Sequence, residues 1–214
     1  MKIKTATGAA ILGFFLGLSA ASALEAPEET RNEPKKQFAV EYGKALPPIG
    51  FVQFCARSPD DCKPSGGKPQ RLAMSPERWN LLYQVNTYVN GKITPVSDQD
   101  LYGQPEYWAY PSDAGDCEDY LLLKRRYLMN LGFPADALLI TVVLDEKQEG
   151  HAVLTVTTAD GDYVLDNRRN EILRWSDFEY TFLKRQSPRD PRAWVALENG
   201  KTQASGFVSG GSTK

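Results

Sequence analysis

The spacing of apolar positions changes along this chain, and the changes outline its elements. Residues 49–54 are a short apolar segment that reads as an edge strand, followed at 63–69 by a Gly/Pro turn. Ser75 then caps a helix with Pro76 at its first position; Trp79, Leu82, Asn86 and Val89 mark one face and Gly91 ends it. Asn86 on that apolar face needs a polar partner, so it either fixes packing or lines a site. Residues 101–111 are aromatic and loop-like. From Tyr120 a second helix follows, with Leu121, Lys124, Leu128 and Leu131 at helical spacing and Gly132 as its stop. Residues 138–144 are a continuous apolar run, best read as a central strand. Residues 151–158 and 163–166 are two further strands joined around Asp160-Gly161, and 180–183 suggest another. The pattern predicts an α+β fold, an antiparallel sheet with helices ahead of it, and shows no internal repeat.

The ends read differently. Lys2 and Lys4 precede an apolar stretch at 9–18 that is too short to span a bilayer, and Ala21-Ser22-Ala23 is an A-x-A cleavage site. Residues 1–23 are therefore expected to be a signal peptide. Residues 24–47 read as a disordered leader, 48–197 as one domain and 198–214 as a disordered tail. No later stretch is long and apolar enough to span a membrane, so an exported, soluble protein is expected.

Composition then narrows the partners. Removing the signal peptide leaves 191 of 214 residues; two of 25 basic residues go with it, against 27 acidic ones, for a net charge of −4. An acidic chain without a basic cluster argues against nucleic acid.

Export settles how the three cysteines are read. An oxidising compartment favours disulfides, and an odd count leaves one thiol over. Cys55 and Cys62 bracket the loop CARSPDDC and are the natural pair, worth about 2.5 kcal/mol in the chain-entropy model. Cys117 is then the free thiol. It lies in Gly115-Asp116-Cys117-Glu118-Asp119-Tyr120, in the first turn of a helix, where unpaired N–H groups and the positive dipole end favour a thiolate. The chain has one histidine, His151, and Asp166 is the candidate to orient it. A strict Asp160-Gly161 hairpin sets Asp166 opposite Thr155, about 13 Å from His151 at about 3.4 Å per residue. A wider or bulged loop centred near 158–159 is therefore expected, which sets Asp166 opposite His151.

Cys in GDCEDY, His in GHAVL 34 residues on and Asp in VLDN 15 residues further resemble the transglutaminase-like papain-fold peptidases. With W-N-x-x-x-x-V-N (Trp79 to Asn86), EYW-x-Y-P and LKRRYL-x-x-LG in that order, the chain is more closely similar to the bacterial transglutaminase-like cysteine proteinases, the family of periplasmic LapG-type peptidases. The resemblance spans roughly residues 48–197. It implies a papain/transglutaminase-like fold with the nucleophile Cys at a helix N-terminus packed on an antiparallel sheet that carries His and Asp. It implies Cys117 as nucleophile, His151 as general base and then acid, Asp166 as orienter, and calcium at Asp116 and Glu118. It also implies a periplasmic location, a protein substrate such as a large surface adhesin, an inner-membrane regulatory receptor and a biofilm setting.

Calcium has a physical argument as well. Three acids beside Cys117 raise the cost of a thiolate, a divalent cation would offset that field, and carboxylates without His or Cys donors suit calcium over zinc. Trp108, Gln84 and Asn86 are candidate side-chain donors to an oxyanion. Three functions fit these residues: an exported cysteine peptidase, an acyltransferase or cell-wall amidase on the same triad, and a non-catalytic calcium-binding interaction module.

Overall fold

A computed structural model describes residue 2 and residues 37–197. The expected signal peptide, most of the leader and the C-terminal tail lie outside those residues.

In chain order the elements are β1 (Gly43–Ala45), α1 (Ile49–Arg57), α2 (Pro76–Lys92), β2 (Thr94–Pro95), α3 (Asp98–Tyr102), β3 (Ala114–Gly115) and α4 (Cys117–Asn130). The second half is β4 (Leu138–Leu144), β5 (Gly150–Thr158), β6 (Gly161–Leu165), β7 (Leu173–Arg174), β8 (Thr181–Gln186) and β9 (Trp194–Ala196). Seven strands form one sheet in the order β1-β9-β8-β4-β5-β6-β7, every neighbouring pair antiparallel. The helices come ahead of the long strands, as the sequence predicts. No helix among the described residues is long and apolar enough to cross a membrane.

The central strands are buried on both faces, which is why β4 reads as an unbroken apolar run rather than an alternating one. Ala152, Leu154 and Val156 of β5 pack with Leu121, Leu122 and Leu128 of α4 and with Leu82 and Val89 of α2. The alternate positions, Val153 of β5 and Val143 of β4, join Val164, Phe178, Tyr180 and Phe182 in a second cluster. α4 is the helix that lies on this sheet, packed against both β5 and α2. Its last turn closes as anticipated. Gly132 is left-handed at φ 87°, its N–H bonds to Met129 O, and the next N–H, of Phe133, bonds back to Leu128 O. Leu131, expected on the apolar stripe, is exposed instead, and the stripe ends at Leu128.

Two further expectations are corrected. Residues 49–54 belong to a helix, not an edge strand: Phe51 and Phe54, three apart, turn inward while Val52 is exposed, which a period of two cannot do. A short apolar run fits either element by pattern alone. Gly50 lets this helix press against the loop ahead of α4, for a Cβ there would come within 2.4 Å of Trp108 Cδ1. Secondly, the domain begins before residue 48. Gly43–Ala45 pair with Trp194–Ala196 as the sheet's edge, and Ala39 N bonds to Asp162 Oδ2 at 3.0 Å.

Helix α2 starts as its sequence dictates, Ser75 Oγ accepting from Arg78 N with Pro76 at the first position, and it runs one residue past Gly91. Cys55 and Cys62 form the expected disulfide, Cα atoms 5.7 Å apart, which ties the last turn of α1 to the turn at Pro59–Cys62. Cys117 is the free thiol.

Candidate active site

Cys117 opens α4, directly after Asp116 at the N-cap. The preceding Gly115 is there for lack of space: a Cβ would sit 2.5 Å from Asp119 Oδ2 and 2.7 Å from Asp119 Cβ. The first turn of α4 thus folds its own carboxylate over the strand that feeds it, while Asp119 Oδ1 accepts from Ala109 N at 2.7 Å.

His151 and Asp166 are brought together by the sheet. The β5–β6 ladder runs from Thr158↔Gly161 to Leu154↔Leu165, so the hairpin is a tight one with only Ala159 and Asp160 at its tip. The wider or bulged loop expected from the sequence does not form. Extended by one residue, this register sets Asp166 opposite Val153, two residues from His151, and leaves both side chains on one face. That offset suffices: His151 Nε2 and Asp166 Oδ1 are 3.0 Å apart. Asp166 also accepts from Tyr180 OH at 2.8 Å and from Arg168 N at 3.0 Å. Despite burial, which pushes the other way, the hydrogen bond and charge of His151 with these donors hold the Asp166 carboxyl well below its usual range. Tyr180 also sets its ring edge-on to the imidazole, centroids 5.8 Å apart. Nothing in the sequence pattern pointed to Tyr180 in this role.

Cys117 sits beside the backbone of Ala152, the neighbour of His151. Its thiol hydrogen-bonds to Glu118 Oε2 at 3.0 Å rather than to His151. The helix start does not make this thiol acidic on balance. Burial, then the charges of Glu118 and Asp116, push it well above the ordinary value.

Those charges belong to an acidic group wider than the sequence suggested. Asp98, Asp116 and Glu118, all buried, each offer a ligand oxygen within 4.8 Å of the others. Asp98 comes from the first turn of α3, eighteen residues upstream; its backbone N–H donates to Asp116 Oδ2 at 3.3 Å, and its own Oδ2 accepts from Tyr107 N. Only the fold reveals it, because an Asp after Ser97 reads as ordinary helix-start chemistry. Burial raises Asp98 and Glu118, lifts Asp116 to about 6 and Asp119 to about 8. Asp98 Oδ1 and Asp116 Oδ1 are buried without a hydrogen-bond partner. Hard, crowded, partly unsatisfied carboxylates of this kind fit a divalent cation with oxygen ligands.

The aromatic stretch ahead of α4 packs inward. Trp108 is fully buried against Phe51, ring centroids 5.7 Å apart, and its Nε1 donates to Glu106 Oε1 at 2.6 Å. Tyr110 packs on Phe54 at 5.5 Å, and Arg57 stacks over Tyr107 at 4.2 Å. Trp108 is thereby committed as a donor. Gln84 is exposed on α2, and Asn86 gives its amide to the Arg169 and Asn170 carbonyls. Two of the three candidate oxyanion donors, Trp108 and Asn86, are thus engaged elsewhere.

Among the solved structures that the chain resembles are three of Legionella pneumophila LapG. The calcium-bound form is 24% identical, covering 62% of this chain and 76% of that one with a TM-score of 0.49. A second is 25% identical, covering 60% and 74%, at 0.48. The EGTA-treated form is 23% identical, covering 61% and 72%, at 0.47. No curated protein matches. The family model for the bacterial transglutaminase-like cysteine proteinases (BTLCP) matches residues 41–202, three quarters of the chain, and the chain belongs to that family of cysteine peptidases.

Proposed function

We propose that this peptidase is exported to the periplasm and cleaves a peptide bond in a periplasmic or cell-surface protein, with Cys117 as nucleophile, His151 as general base and then acid, and Asp166 as orienter. The observation that carries this is the buried 3.0 Å contact of His151 Nε2 with Asp166 Oδ1, one residue along the strand from the backbone that flanks Cys117.

With Nε2 engaged by Asp166, His151 Nδ1 is the nitrogen left to take the thiol proton. The thiolate attacks the scissile carbonyl. The oxyanion is received by backbone N–H groups of the first turn of α4, which have no intrahelical acceptor. Imidazolium then gives its proton to the leaving amine, and water, deprotonated by His151, releases the acyl group and regenerates the thiol.

Asp98, Asp116 and Glu118 are the residues that would hold calcium. Bound there, the ion would supply positive charge against the acids that disfavour the Cys117 thiolate. Engaging Glu118 in that site also competes with its hydrogen bond from the thiol. Residues 1–23 carry the export, and a large surface adhesin is the substrate and an inner-membrane receptor the regulator that the family resemblance suggests.

The acyltransferase or amidase reading uses the same triad and differs only in the acceptor. The non-catalytic reading draws on the buried thiol bonded to Glu118. Incubating the purified protein with candidate exported proteins, with and without a calcium chelator, separates them. Cleavage that requires both calcium and Cys117 supports the peptidase; no cleavage of any candidate, or cleavage retained in Cys117→Ala, removes it.

A further inference from the structure

The turn that carries Asp166 has no strand to hold it. Strand β6 ends at Leu165 and β7 begins at Leu173, so the carbonyls between them lack ladder partners and must be satisfied some other way. Helix α2 does this with two asparagines four residues apart on one face. Asn86 Nδ2 donates to Arg169 O and Asn170 O, both at 3.1 Å. Asn90 Nδ2 lies 3.0 Å from Asp166 O, 2.9 Å from Arg169 O and 3.1 Å from Asn170 Oδ1. Asn86 is fully buried.

Asp166 is therefore gripped at both ends. Its carboxylate is held by His151, Tyr180 and Arg168 N, and its main-chain carbonyl by Asn90. A carboxylate that orients an imidazole works only if its own backbone cannot drift, and one residue beyond a strand end is where a backbone does drift. Asn90, from helix α2, is the contact that holds the Asp166 main-chain carbonyl and so removes this freedom, and Asn86 anchors the far side of the same turn.

We propose that Asn86 and Asn90 are positioning residues of the peptidase reaction: their amides fix the 166–170 turn against α2 and so fix the Asp166 carboxylate on His151 Nε2. This rests on the triad reading for its catalytic meaning, although the coupling from Asn90 to His151 can be measured without turnover. It gives Asn86, polar on an otherwise apolar helix face, a function: it serves the site without lining it.

The test uses the single histidine. In the full chain, carrying no histidine tag, every imidazole resonance belongs to His151. Nitrogen-15 and proton spectra of the wild type should show the Nε2-protonated tautomer and a low-field Nε2 proton. Asn90→Asp keeps the shape but, once ionised, offers only acceptors where the amide donated, and Asn90→Ala removes the side-chain polar group altogether. Both are expected to lose the low-field proton and move the nitrogen shifts toward a tautomer mixture, while Asn90→Gln, which retains a carboxamide, keeps more of the wild-type signature. A merely structural clamp would lower the unfolding midpoint and leave the His151 spectrum alone, and that result in the folded Asp or Ala variant overturns the proposal.

If neither variant folds, the wild type decides. On warming below global unfolding, the Asn90 side-chain amide protons and the His151 Nε2 proton should be lost together. Loss of the His151 proton while the Asn90 amide stays protected also overturns it. Full turnover in Asp166→Asn would instead end the triad reading and leave the Asn90–His151 coupling intact, so the two failures are distinct.

Discussion

His151 Nε2 and Asp166 Oδ1 stand 3.0 Å apart although the two residues are not cross-strand partners. The ladder sets Asp166 opposite Val153, an offset of two residues or about 7 Å along the strand. Both side chains are on one face of the sheet, and diagonal neighbours at that offset are within reach of a ring and a carboxylate. The pair therefore tolerates no change in hairpin length by one residue, since a one-residue slip would send Asp166 to the other face.

The proposed triad predicts the effects of its substitutions. Cys117→Ala and His151→Ala should abolish cleavage with the fold retained. Asp166→Asn should reduce turnover by on the order of 10²–10⁴, because it removes orientation and charge but not the attacking group. Asp166 is held as an anion in the folded state, so its contribution to stability is complete above the unfolded carboxyl range near 3.9 and is lost as pH falls below it. Acid unfolding of wild type and Asp166→Asn, compared between pH 2 and 7, measures the difference; parallel curves would contradict it.

Calcium should raise the unfolding midpoint by mass action, by about 2.7 kcal/mol of stability when the ion is at roughly a hundred times its Kd. Asp98→Asn should lose this response as fully as Asp116→Ala with Glu118→Ala does, since all three would supply ligand oxygens to one locus. Thermal unfolding titrated with calcium and with chelator is the measurement, and a full response in Asp98→Asn removes that residue from the site.

Thiol counting tests the covalent frame. Mass spectrometry of the unfolded, non-reduced protein should find one alkylated cysteine, Cys117, and slow labelling of it in the native state because it is buried. Cys55→Ser with Cys62→Ser should cost about 2.5 kcal/mol, appropriate to so short a loop. A second alkylated site in the wild type would refute the pairing.

Lys124 is among the largest fully buried side chains, and desolvation brings it down to about 7, with the charge of Asp166 acting against that fall. Between about 7 and its ordinary value of 10.5 the unfolded chain binds the extra proton, so this group adds stability as pH rises, at about 1.4 kcal/mol per unit within that window. Lys124→Met should flatten this rise and be more stable than wild type near neutral pH, where the ammonium is costly to bury. Denaturant midpoints of both proteins at pH 7 and pH 9 check it; an unchanged pH difference would show that Lys124 keeps its ordinary titration.

Gly115→Ala should destabilise by about 1–3 kcal/mol, because the added Cβ must displace the Asp119 side chain held by Ala109 N. A midpoint within experimental error of wild type would show that Asp119 can move aside freely.

By itself the sequence determined what local chemistry can encode. Ser75-Pro76 begins a helix because a hydroxyl cap and a fixed φ act within one turn, and Gly132 ends another because it accepts a left-handed φ. An unbroken apolar run marked β4 as central, and an odd cysteine count left Cys117 unpaired. The family was legible in the ordered motifs, and with it the residues proposed as the triad, Cys117, His151 and Asp166. What only the tertiary structure decided depends on parts distant in the chain. Residues 49–54 became a helix because burial of Phe51 and Phe54 against Trp108 and Tyr110 selects the helical period in a run too short to declare it. Gly43–Ala45 became a strand because Trp194–Ala196 offers an edge. The hairpin's register is set by two residues at a turn, but its consequence for Asp166 appears only when the sheet is assembled. Asp98 reaches Asp116 across eighteen residues and Glu118 across twenty, and Asn90 reaches Asp166 across seventy-six, because packing of α3 and α2 around the start of α4 and the end of β6 closes those distances. No periodicity records such meetings, since their free energy comes from burying groups together that the chain itself keeps far apart.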